Sequence, residues 1–203
     1  MPRAQPGRRA AGTVKTMADK YGIDTLIQAF ASLLASLQAS DPEMARQLHL
    51  RLVGDGPQMQ ALKQLATQLG VTERVQFVGH VDHTQVPHEL AQLDVYVALS
   101  RLDSESFGVA IIEAGAAARP VVVSDAGGLP EVVLDGVTGL VVPRENPQAA
   151  ADAIECLLCD ADLRQRMGAA ARRHVAQHYS WDACVETMLK VYERLVARHR
   201  SSR

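Results

Sequence analysis

The chain has few cysteines, no long apolar run and no surplus of basic residues. Three thiols cannot build a disulfide framework, and nothing marks the chain for secretion, so a reducing compartment is expected. The longest apolar stretches, 95–99 and 129–134, break off far short of the ~20 residues a membrane-spanning helix needs. Lysine and arginine number 21 against 23 aspartate and glutamate, a net charge of −2, so no global positive field is available to hold nucleic acid. The basic residues that do cluster, Arg3, Arg8 and Arg9 at one end and Arg194, Arg198, Arg200 and Arg203 at the other, read as solvated tails. The early arginines and the lack of acids before Asp19 suit a transit peptide, but Pro2, Pro6 and Gly7 break an amphipathic helix, and 1–10 is expected to be a disordered tail. No G-x-G-x-x-G follows the first strand candidate, which disfavours a dinucleotide-dependent oxidoreductase.

What is present is ordinary globular composition, with 47% hydrophobic and 22% charged residues over 203 positions, enough for one substantial core. Short β-branched runs at 12–15, 48–53, 75–78, 95–99, 121–124 and 139–142 alternate with helical periods at 24–40, 58–70, 86–93 and 107–118. This alternation predicts an α/β fold, a Rossmann-like three-layer arrangement with helices on both faces of a parallel sheet. Glycine- and proline-rich turns fall between the segments, not inside them. A helical region runs from Asn146-Pro147 through His174, and Ser180 can cap a last helix over 180–194. Domain boundaries follow as 11–178 for the Rossmann-like unit and 179–203 for a C-terminal helix and tail.

In open parallel sheets ligands lie beyond the carboxyl ends of the strands, which directs attention to loops 16–22, 54–57, 79–84 and 100–108. The last of these joins a buried strand to a helix start. Amides around Ser106, Phe107 and Gly108, with the positive end of the helix dipole, suit a phosphate or a sugar hydroxyl. Glu105 before the helix and Glu113 inside it could stand up to ~12 Å apart along the axis, about the span from sugar to ribose in a nucleotide sugar.

Other groupings have plainer readings. Cys156 and Cys159 form a lone C-x-x-C whose members, three apart on a helix, are expected to share its apolar face. His80, Asp82, His83 and His88 are zinc-ligand types, but such residues are also common on surface loops. Asp160-Ala161-Asp162 spells the D-x-D of metal-dependent transferases yet sits in a polar turn between helices and reads as a helix start. Asp24 reads as part of a first helical turn and Glu131 as a loop anchor, with a donor role as its alternative.

Glu-Ser-Phe-Gly at 105–108, Ile-Glu-Ala at 112–114 and Arg-Pro-Val-Val-Val-Ser-Asp-Ala-Gly-Gly-Leu-Pro-Glu at 119–131 form one ordered set. With Lys20-Tyr21-Gly22-Ile23-Asp24, Val53-Gly54-Asp55-Gly56-Pro57, Val75-Gln76-Phe77-Val78-Gly79 and Asp135-Gly136-Val137-Thr138-Gly139, they resemble the C-terminal donor-binding half of GT-B glycosyltransferases of retaining family 4, the glycosyl transferases group 1, over roughly 12–195. The resemblance implies transfer of a hexose-type sugar from a nucleotide diphosphate sugar to a glycan or lipid-linked acceptor, as in polysaccharide biosynthesis. It implies catalytic roles for Glu105, Lys15 and Lys20: Glu105 accepts hydrogen bonds from the donor sugar, and the two lysines hold the diphosphate. It further implies that Glu113 binds the ribose, that Ser106, Phe107, Gly108 and Val109 border the sugar and distal phosphate, that Val81 borders the base, and that Gly54 and Gly56 shape the neighbouring loop. The family usually has arginine where Lys15 stands, and lysine keeps the charge without the bidentate fork. It commonly has glycine where Ala118 stands, a mild change unless the backbone there has positive φ.

The resemblance implies no metal and no other cofactor, because lysines and a helix dipole can stabilise the leaving diphosphate. A whole GT-B enzyme has two halves and this chain has room for one, so an acceptor-domain protein partner is expected and activity of this chain alone is not. The last helix resembles the one that crosses to the acceptor half; unpartnered, it would expose an apolar face. A cytoplasmic place is expected, peripheral to the inner face of a membrane at most. Alternatives are a non-catalytic nucleotide-sugar binding module or another GT-B chemistry such as nucleotide-sugar epimerisation. A phosphorylase would need a pyridoxal lysine that no motif marks.

Overall fold

The computed structural model describes residues 7–104 and 107–201. Six strands, β1 (Arg9–Val14), β2 (Leu48–Val53), β3 (Val75–Gly79), β4 (Val95–Ala98), β5 (Val121–Ser124) and β6 (Gly139–Val142), form one parallel sheet in the order β3-β2-β1-β4-β5-β6. The helices are α1 (Ile23–Ser40), α2 (Pro42–Gln47), α3 (Met59–Gln68), α4 (Val86–Ala91), α5 (Val109–Ala116), α6 (Leu129–Val132), α7 (Pro147–Cys159), α8 (Ala161–His178) and α9 (Trp181–Ser201).

Because successive strand residues point to opposite faces, the sheet feeds two cores. Leu48, Leu50, Leu52, Val97 and Val122 meet α1, α3 and α7 on one side. Tyr96, Val121 and Val123 meet α4, α5 and α6 on the other. The strand order reverses direction between β1 and β4, so the loops leaving these two strands splay apart and open a crevice at the carboxyl edge. The α/β, three-layer expectation from the sequence is therefore met.

Several boundaries differ from the sequence reading. β1 begins at Arg9, so residues 9 and 10, assigned to a disordered tail, pair with Leu48 and His49. α2 sits where only a breaker was read: Asp41 accepts from the Met44 N–H at 3.0 Å and Pro42 occupies the first turn, a helix start and not a stop. Asp160 accepts from the Leu163 N–H at 2.8 Å and caps α8, which accounts for the D-x-D as a helix start. Ser180 accepts from the Ala183 N–H at 3.2 Å, and α9 then runs on to Ser201, beyond the expected end. Cys156 and Cys159 do share one face of α7, but it is the solvent face; Ala150, Ile154, Leu157 and Leu158 form the buried one. Among the described residues no helix is long and apolar enough to cross a membrane.

Ala118 has φ 55°, the left-handed region that glycine adopts freely and alanine does not. The backbone condition that makes alanine costly at this position is therefore present.

Candidate functional site

The crevice is walled on the first side by the β1–α1 loop. Its shape is fixed by backbone bonds to the β2–α3 loop: Lys15 N–H to Val53 O, Met17 N–H to Asp55 O and Gln58 N–H to Met17 O, each 2.9 Å. Gly54 and Gly56 are what allow this approach. A Cβ on Gly54 would overlap the Lys15 carbonyl, lying 2.9 Å from its carbon, and one on Gly56 would lie 2.5 Å from Met17 O. Gly22, at φ 61°, lays the far end of the loop on the Leu99 carbonyl after β4.

This stitching places Lys15 and Lys20 on one aromatic ring. Their Nζ atoms stand 4.4 and 4.8 Å from the Tyr21 centroid. The ring quadrupole attracts both ammoniums and offsets the repulsion of holding two like charges together. Tyr21 itself packs on the core beneath α1, so the platform is anchored.

The second wall is the β4–α5 loop. Arg101 N–H donates to Lys20 O at 2.9 Å, and the Arg101 guanidinium, 16% exposed, reaches Asp19 Oδ1 at 2.8 Å, Asp24 Oδ2 and Thr25 Oγ1 at 3.1 Å. Glu145 Oε1 lies 3.6 Å from its Nε. Burial works against the charge of Arg101, but the Asp24 hydrogen bond and the surrounding carboxylates outweigh it, and its pKa is raised. Arg144 continues the network, donating to Arg101 O, to Asp103 at 3.0 Å and to Asp125 at 3.2 Å. The Gly127 N–H and then Arg144 hold the Asp103 carboxyl below its ordinary range. Asp24, expected only in a helical first turn, is there and is also an ion-pair partner.

At the end of this loop Gly108, φ 74°, is the residue from which α5 starts. Leading amides of a helix have no intrahelical acceptor and carry the positive end of its dipole. Phe107 and Val109 flank Gly108 and are exposed, the Phe107 ring meeting Tyr179 edge-on at 5.7 Å. One turn on, Glu113 is partly exposed, with Oε1 3.9 Å from His83 Nε2 of the β3–α4 connection. Glu113 and His83 line a pocket of about 250 Å³ with Val86, Pro87, Leu90 and Ala117. Val81, on the same connection, is half-buried against the second core.

The sequence-derived residues thus fall into two groups. Lys15 and Lys20 meet at Tyr21, braced by Gly54 and Gly56; Glu113 stands on α5 near His83, and Gly108 and Val109 form the start of that helix. Glu105 and Ser106 lie outside the described residues. Glu131 is exposed in the first turn of α6. Among the described residues no three or more histidine, cysteine, aspartate or glutamate side chains are gathered as metal ligands would be, so His80, Asp82, His83 and His88 are not brought together. Sequence reasoning missed Tyr21 and Arg101 as organisers. The available signal was an arginine leaving a buried strand opposite a loop bearing Asp19 and Asp24.

Comparison with known proteins places the chain in a family. The model of the glycosyl transferases group 1 covers residues 3–174. Over 168 residues the chain is 35% identical to the GDP-mannose-dependent alpha-(1-6)-phosphatidylinositol monomannoside mannosyltransferase of Mycobacterium tuberculosis, covering 80% of this chain and 42% of that protein. The chain therefore spans about two fifths of the length of the curated relatives it matches. Among solved structures, sucrose-phosphate synthase of Thermosynechococcus elongatus superposes with a TM-score of 0.80 at 29% identity, over 94% of this chain and 46% of that one. HepE of Anabaena, crystallised in complex with UDP-glucose, superposes at 0.77 with 27% identity, over 94% and 49%. Sequence, sheet order and relatives agree that the chain belongs to the glycosyl transferases group 1 family, with the GT-B Rossmann-like fold.

Proposed function

We propose that this chain is the donor-binding half of a retaining glycosyltransferase, which holds a nucleoside diphosphate hexose and transfers its sugar only together with an acceptor-binding half. The observation that supports this reading is that the loops leaving β1 and β4, on either side of the point where the strand order reverses, carry the lysine pair on Tyr21 and the start of α5 at Gly108, with the Glu113 carboxylate further along that helix. As the bond from the anomeric carbon to the diphosphate breaks, negative charge grows on the leaving phosphate. Lys15, Lys20 and the α5 amides are positive groups fixed before the reaction, so they stabilise that charge without a divalent ion. Glu113 accepts hydrogen bonds from the ribose hydroxyls, Phe107, Gly108 and Val109 border the sugar and distal phosphate, and Val81 borders the base. Glu105 is assigned to the sugar hydroxyls by its place in the motif.

Support for a nucleotide-sugar donor comes from the GDP-mannose dependence named for the mycobacterial relative and from UDP-glucose in the HepE complex. Support for a partner half comes from α9. Trp181, Val185, Met188, Leu189, Tyr192 and Leu195 recur at helical spacing on one exposed face, with Trp181 85% exposed. We assign that face to the acceptor half and place the assembly in the cytoplasm.

Titration of variants with nucleoside and nucleoside diphosphate tests the assignment. Glu113→Ala is expected to weaken both ligands by about 1 to 3 kcal/mol through lost ribose hydrogen bonds. Lys20→Ala is expected to weaken the diphosphate far more than the nucleoside. Unchanged affinity in Glu113→Ala, or equal losses in Lys20→Ala, removes that residue from the site.

A further inference from the structure

We infer that Arg101 is the positioning residue of the diphosphate subsite: without touching the donor, it fixes the loop that carries Lys20 relative to the start of α5 and neutralises the carboxylates beside the lysine pair. The inference rests on the donor-site reading above.

Arg101 belongs to the loop that leads into α5, yet its principal side-chain bonds run to the other wall of the crevice. Its backbone N–H holds Lys20 O, and its guanidinium binds Asp19 Oδ1 at 2.8 Å and Asp19 O at 3.3 Å. Asp19 immediately precedes Lys20, so the lysine is gripped from both sides. The same guanidinium binds Asp24 and Thr25 at the start of α1 and lies 3.6 Å from Glu145 after β6. One planar fork therefore ties three loops at the carboxyl edge of the sheet. A lysine has the charge but cannot span these directions at once. The backbone of Arg101 is itself held, since Arg144 donates to its carbonyl at 3.2 Å.

The electrostatic consequence is separate from the geometric one. Asp19 is 77% exposed beside Lys20, and Asp24 and Glu145 stand behind it. Three carboxylates gathered around the guanidinium that holds the Lys20 loop would repel a diphosphate bound there, and the positive charge among them reduces that field. Its two terminal nitrogens bind Asp19, Asp24 and Thr25, and its Nε is buried without a hydrogen-bond acceptor, so it acts through Lys20 and not as a third phosphate ligand.

The test compares wild type, Arg101→Lys, Arg101→Ala and Asp19→Asn for binding of nucleoside and of the matching nucleoside diphosphate, followed by NMR in chelator so that millimolar affinities are measurable. The readout is the affinity gained by adding the two phosphates. In Arg101→Ala and Arg101→Lys this gain is expected to fall about tenfold while nucleoside affinity stays close to wild type. Asp19→Asn, which keeps the fork and removes one negative charge, is expected to retain or raise the gain, and remains measurable if Arg101→Ala does not fold. A wild-type gain retained in Arg101→Lys, or a proportional loss of both ligands with no change in the gain, overturns the inference and leaves the donor site standing. No gain in the wild type overturns the donor site itself.

Discussion

Gly54→Ala tests whether the cation loop is positioned by backbone contact. Gly54 has φ 129°, a conformation an alanine adopts only under strain. The new Cβ would lie 2.9 Å from the Lys15 carbonyl carbon and still nearer its oxygen, with backbone on both sides and no flexible side chain to yield. Restoring ordinary contact with the Lys15 oxygen requires the two loops to part by more than about an ångström, against the Lys15–Val53 bond of 2.9 Å and the Gly54–Gly79 bond of 2.8 Å. Backbone strain and overlap together should cost about 2–5 kcal/mol, a fall of roughly 5–15 °C in melting temperature for a domain of this size. The displaced loop carries Lys15, so diphosphate affinity should fall about tenfold while nucleoside affinity changes little. Gly70→Ala is the control. Gly70 has φ 71°, but a Cβ there meets nothing within 4 Å, so that variant should lose only the backbone strain, about 1–2 kcal/mol, and keep its ligand affinity. Urea unfolding and ligand titration of the two variants separate the contributions. A Gly54→Ala protein as stable as Gly70→Ala, with wild-type diphosphate affinity, would refute the reasoning.

Two further changes probe the scaffold. Ala118→Gly relieves the positive φ, and after the extra chain entropy of glycine it should stabilise by about 0.5–1 kcal/mol in urea unfolding, where most alanine-to-glycine changes destabilise. Burial, reinforced by Arg8 and Arg74, lowers the pKa of His49, and burial, with His178 adding to it, lowers that of His174. A folded-state pKa below the unfolded value means that the unfolded chain takes the proton more readily, so this contribution is complete above the ordinary histidine value and is lost as pH falls through the folded ones. Stability should decline from pH 7 toward pH 5, and the His49→Gln, His174→Gln double variant should flatten that slope; an unchanged slope contradicts the assignment.

The parts of the fold that depend on strand interiors were legible in the sequence. β2, β5 and β6 fall at their expected bounds because strands buried on both faces read as continuous apolar or alternating runs between turn residues. The start of β1 was not legible, since Arg9-Ala10-Ala11 has no intrinsic strand preference and is recruited by pairing with Leu48 and His49. The solvent-facing cysteines of α7 were misplaced because spacing fixes which residues share a face, not which face is buried. Among the candidate site residues, Lys15, Lys20, Gly108 and Glu113 could be named because their signals are local motifs. Arg101 could not, because Asp19, Asp24 and Thr25 lie 76 to 82 positions away in the chain and meet it only once β1 and β4 are adjacent.

The central claim is that this chain alone forms a working site for the donor diphosphate. Calorimetric titration of the folded wild-type chain with UDP, GDP and ADP in chelator tests it most directly. The account predicts saturable binding of one of the three without metal, with the corresponding nucleoside bound more weakly. A folded chain that binds none of them, or that binds nucleoside and diphosphate equally, would contradict it.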